Sequence, residues 1–196
     1  MSQTLRKLGV SLHVLLSVGW VGVIAAFLTL AVASFSRDPT VARSAYLMMS
    51  VVGRSALLPF SIAALVSGIV QSLGTRWGLF QHYWVVVKLV LTSLAVLALF
   101  VHQTTAITEA ARLAADAATP VLGSVLLKEL SVQLLADSAL ALSVLVAITL
   151  IAVYKPWGLV GHVTRRLRIL LAAITALVVA FIALHLSGHS PHGHSH

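Results

Sequence analysis

Long apolar runs separated by short polar breaks are the main pattern along the chain. Five stretches are long enough for helices that cross a bilayer, which needs about 20 residues each. They run from about Leu8 to Ser34, Val41 to Leu73, Tyr83 to Gln103, Val125 to Tyr154 and Ile169 to Ser187. None alternates every second residue as barrel strands do. Lipid cannot satisfy open backbone groups, so each run is expected to be helical. Breakers mark the connections: Arg37-Asp38-Pro39, Gly74 to Gly78, and Lys155-Pro156-Trp157-Gly158. The longest connection, about Thr104 to Ser124, is Ala-rich. Glu109, Arg112 and Asp116 lie three and four apart in it, which predicts a short surface helix that stops before Pro120. The expected fold is an all-α membrane protein, a five-helix transmembrane bundle formed by residues 1–187. A flexible His-rich tail, 188–196, follows it.

Composition sharpens this picture. Of 196 residues, 59% are hydrophobic and only 9% charged, against roughly 25% charged in a soluble domain. That excludes a soluble enzyme, a disordered tail and a coiled coil. The absence of cysteine removes disulfides, zinc fingers, iron–sulfur clusters and thiol nucleophiles. The net charge of +8 sits at the ends of apolar runs, where lipid headgroups account for it, so no nucleic-acid partner is expected. The first run carries Arg6-Lys7 and Ala31-Val32-Ala33 like a signal peptide, but its apolar core is too long for one, so a retained anchor is expected. Arg6, Lys7, Arg76, Lys155, Arg165, Arg166 and Arg168 fall on one side, against Arg37, Arg43 and Arg112 on the other. This predicts N-in/C-out, multi-pass, in the cytoplasmic (inner) cell membrane.

Ionisable residues inside spans are candidates for function. Arg54 and Asp137 lie at similar depth and predict a pair, a clamp between helices or part of a proton or anion path. Glu129, Gln133 and Asp137 form a polar stripe. Pro59 predicts a kink that frees a backbone carbonyl. Lys88 either snorkels to the interface or faces the bundle to meet a carboxylate. Trp77, Trp84 and Trp157 read as belt anchors, whereas Trp20 is expected inside.

Nine histidines carry the remaining chemistry. Imidazole ligates haem and metals without needing charge. His13 lies toward the inner face with His82 and Lys88 at comparable depth, and Gly19 and Gly22 nearby leave room for a ring. His102 and His185 lie toward the outer face, giving a second candidate site. The tail residues His189, His192, His194 and His196 suit weak capture of divalent or cuprous ions.

The residues Gly68 to Phe80, Tyr83-Trp84 with Lys88 and His102, His13 with Gly19-Trp20-Val21-Gly22, and Tyr154 to Gly158 carry a resemblance. Together they resemble a family of small integral membrane proteins grouped with the copper-resistance D (CopD) type and HemJ-type proteins. The resemblance is strongest over the first three helices. The HemJ branch implies a b-type haem with His13, Trp84 and Lys88 among the important positions. The copper branch implies metal uptake or handling. Three readings stay open at this point. One is a protein binding haem b with a redox or tetrapyrrole-related role, and Arg54 among the residues for anionic groups. Another is a copper-handling, permease-like protein. The third is a cofactor-free subunit of a membrane redox partner or homo-oligomer.

Overall fold

The computed structural model describes residues 3–74, 82–100, 104–116 and 120–154. Among these residues every regular element is a helix. They are α1 (Gln3–Ala33), α2 (Pro39–Leu73), α3 (Tyr83–Ala98), α4 (Thr104–Ala115) and α5 (Val125–Tyr154). Three of them, α1, α2 and α5, are long and apolar enough to cross a membrane. Their most apolar windows are at most 22% buried within the protein. Val14, Leu15, Val18, Val66, Val70, Val146 and Leu150 instead point outward. Apolar side chains displayed on this scale fit a membrane protein, with lipid covering them. The fifth predicted stretch, 169–187, the end of the third, 101–103, and the tail 188–196 lie outside the described residues.

Local chemistry sets the helix ends. Asp38 caps α2 by accepting from the Thr40 N–H at 2.8 Å, with Pro39 at the first helical position, where no N–H is required. Ser124 starts α5 by accepting from the Leu127 N–H. The residue before it, Gly123, takes φ +93°, a left-handed value that costs glycine nothing.

Within α2, Gly53–Leu57 form a π-turn, and the Leu58 N–H reaches back five residues to the Gly53 carbonyl. Pro59 has no N–H to offer Ser55, and the wider turn next to it absorbs the mismatch without ending the helix. The expected irregularity at Pro59 is therefore a π-turn inside a continuous helix.

Helices α1 and α2 run antiparallel. His13 meets Ser67 near one end, and Gly19 meets Phe60 further along. At the far end Ser34 and Tyr46 converge on Ser131 of α5. The Ser131 hydroxyl donates to the Leu127 carbonyl at 3.0 Å. The Ser34 hydroxyl, which also reaches the Ala31 carbonyl at 2.7 Å, lies 3.0 Å from Ser131 Oγ, and the Tyr46 hydroxyl lies 2.6 Å from it. All three side chains are buried, so the node replaces water for each of them. Trp20, Ile24, Phe27, Met49, Leu57, Leu127 and Leu134 fill the core around it.

The short helix α4 forms as expected, with Arg112 and Glu109 paired on its outer face. It is not only a surface helix, however. Ala106, Ile107, Ala110, Ala111 and Ala114 are buried, and α4 packs on the first half of α2. Small side chains allow that approach: a Cβ on Gly53 would stand 3.2 Å from Ile107 Cδ1. Arg43 locks the far end by donating to the Ala114 and Asp116 carbonyls.

Candidate functional site

Three helices bring polar groups together at the end of the bundle where α2 finishes. α1 supplies His13, α2 supplies Ser67 and Gly68, and α3 supplies Trp84 and Lys88. His13 Nδ1 lies 3.0 Å from Ser67 Oγ. The Ser67 hydroxyl also donates to the Ala64 carbonyl at 3.1 Å. The His13 ring is thus held by the Ser67 hydroxyl and the Ala64 carbonyl together. The imidazole sits over Gly68, where a Cβ would come within 3.1 Å of Cε1.

Lys88 comes close enough for its charge to act on His13. Its ammonium lies 5.9 Å from the Trp84 ring, a cation–π contact, and has no acidic partner among the described residues. Trp84 is buried, and the His82 ring tilts against it at 6.4 Å. His82 itself precedes α3, and its carbonyl accepts from the Val85 and Val86 N–H groups. One turn beyond Ser67, Gln71 Oε1 is buried without a hydrogen-bond partner.

Ser67 and Gly68, which orient the imidazole, are additions from the structure. A serine and a glycine in an apolar helix look like packing residues until the facing helix is known.

Other expected features differ. Arg54 is exposed on the π-turn, and its guanidinium bonds Thr108 of α4 at 3.4 Å rather than Asp137. α4 packs along this stretch of α2 and presents Thr108 to the guanidinium, while Asp137 is engaged elsewhere. The opening expected at Gly19 is filled, since the Phe60 ring occupies the place of its missing side chain. Gly22 is open but faces outward. His102, His185 and the tail histidines His189, His192, His194 and His196 lie outside the described residues. Among the described residues no three His, Asp or Glu side chains converge as a metal site.

No family model, curated protein or solved structure matches the chain.

What the site offers chemically is an imidazole within reach of the charge of a lysine ammonium that has no acidic partner among the described residues. Such a pair suits a ligand that carries both an electrophilic centre and an anionic group.

Proposed function

We propose that the protein is a multi-pass membrane protein that binds a b-type haem in a redox or tetrapyrrole-related role. His13 would be the axial ligand and Lys88 the partner of a propionate. The observation that carries this reading is the His13–Ser67 contact at 3.0 Å, with the Lys88 charge acting on the same imidazole. Histidines that hold a haem or metal commonly donate their other N–H to a protein acceptor, which sets the ring's orientation and raises its basicity. The uncompensated Lys88 ammonium supplies the second half of the fit. Haem would contribute one-electron redox chemistry. The chain's residues would orient it, balance its carboxylates and shield it with Trp84 and the lipid-facing helices.

The topology that goes with this reading is five spans, N-in/C-out, supported by the basic residues that flank the apolar runs. Reporter fusions after Lys7 and after Ser187 should fall on opposite sides of the membrane, and two cytoplasmic reporters would overturn it.

The visible spectrum tests the site. Membranes from cells grown with ample haem should show a Soret band, and His13→Ala should abolish it. A Soret band of full height in His13→Ala, or none in the native protein, would overturn the proposal.

A further inference from the structure

The helices are too long for the bilayer. α2 has 35 residues, which rise about 52 Å. Fitting that length inside a hydrocarbon core of about 30 Å would need a tilt of about 55°, beyond the 0–40° that membrane helices adopt. α1 and α5, with 31 and 30 residues, are long in the same way. Part of each helix must lie outside the core, and the side chains indicate which part.

The Tyr46–Ser131 bond sets a common level on α2 and α5. Ser34 closes α1 at that level, so the length of α5 beyond Ser131 runs back along α1, as α2 does. Arg54 lies about 12 Å below Tyr46 along α2, and Asp137 about 9 Å below Ser131 along α5. The two ionisable residues therefore mark one plane without touching each other.

Below that plane neither α2 nor α5 carries a charged residue, and most outward positions are apolar: Ile62, Val66, Val70 and Leu73 on α2, and Val146, Leu150 and Val153 on α5, with Ser55, Ser143, Thr149 and Tyr154 exposed among them. Residues 54–73 rise about 30 Å, the thickness of the hydrocarbon itself. Above the plane the exposed positions include Thr40, Ser44, Thr105, Thr108, Arg112, Lys128 and Glu129, interleaved with Val41, Met48, Val51, Val125, Leu126 and Val132. That mixture suits water and headgroups better than acyl chains.

We infer that the hydrocarbon core ends at the Arg54–Asp137 plane, and that α1, α2 and α5 continue past it, with α4, as a collar outside the core. The Tyr46–Ser131–Ser34 node lies in that collar. Exposed Arg54, bonded only to neutral Thr108 among the described residues, stands where lipid phosphates supply the anion it lacks.

The cysteine-free chain makes the test clean. Single variants Ser44→Cys, Thr108→Cys and Lys128→Cys probe the collar, and Val66→Cys, Val70→Cys and Leu150→Cys probe the core. Each is made in the full chain and treated with a charged maleimide in membrane fragments open on both faces. The collar positions should react about tenfold faster or more, because the reactive thiolate forms in water. All six should react alike after unfolding in detergent. The pairs on α2 and α5 give independent answers if one variant fails to accumulate. Protection of Ser44→Cys and Lys128→Cys equal to that of Val66→Cys and Leu150→Cys would overturn the collar. Equal fast labelling at all six positions would overturn it together with the membrane reading.

Discussion

Tyr46 and Ser131 stand 85 residues apart in sequence and meet hydroxyl to hydroxyl at 2.6 Å in the interior of the bundle. Ser131 holds Ser34 at the same time, so one small side chain joins α1, α2 and α5.

Tyr46→Phe should cost about 0.5–1.5 kcal/mol, the usual net value of one hydrogen bond. Ser131→Ala should cost more, because it strips a partner from both Tyr46 and Ser34. The double variant should be less unstable than the sum of the singles, since the two changes remove one shared interaction. Unfolding of the purified protein in mixed micelles measures all three values. Strict additivity would show that the node carries no coupling.

Gly19 is held to glycine by Phe60, whose Cδ1 stands 2.8 Å from the place a Cβ would take. Gly19→Val should force the ring aside and destabilise the α1–α2 contact by about 1–3 kcal/mol, as overpacking does. Shortening the ring with Phe60→Leu should recover part of that loss. Gly22→Val should be mild by the same measurement, because no atom lies within 4 Å of its Cβ position.

Ser67→Ala would remove the hydroxyl that lies 3.0 Å from His13 Nδ1. On the proposed reading of His13 as a haem ligand, haem retention should fall about 10–100-fold, the usual effect of losing a group that orients a ligating histidine. Transfer of haem to an apoprotein acceptor reads this directly, and unchanged transfer would remove Ser67 from the site.

The ion pair on α4 gives a pH prediction. Hydrogen bonds from Arg112 hold the Glu109 carboxyl below the usual carboxylate range. A carboxyl lowered by folding adds stability above its unfolded pKa, and this is lost as pH falls through the folded value. Glu109→Gln should therefore lower the Tm slightly at neutral pH and leave it unchanged in acid. The pair is exposed, so the difference should be small and should shrink further in salt.

Reading the sequence from apolar runs located the start of α5 at Val125, just after Gly123 and Ser124. The same counting put Arg54 and Asp137 at one depth, an expectation on which the inferred edge of the hydrocarbon core builds. What it missed is lateral information. Which face of α2 carries Arg54 depends on the π-turn, and α4 presents Thr108 there instead of an acid. The alanines of α4 bury little area each, so periodicity left the helix on the surface although their four-residue spacing builds a seam. At the site, His13 and Lys88 stood out as polar residues in apolar runs. Ser67, Gly68, Tyr46 and Ser131 did not, because a lone hydroxyl or glycine acquires meaning only from the helix it faces.

The π-turn at Gly53–Leu57 also acts as a phase shifter. A helix turns about 100° per residue, so one residue accommodated in a widened turn resets the facing of everything after it. The upper half of α2 can thus aim Tyr46 at α5 while the lower half aims Phe60 and Ser67 at α1. Deleting one residue from 53–57 would restore a regular helix and swing the lower half out of register. Gly19 would lose the ring that covers it and His13 its contact with Ser67, although every helix would still be long and greasy enough to insert.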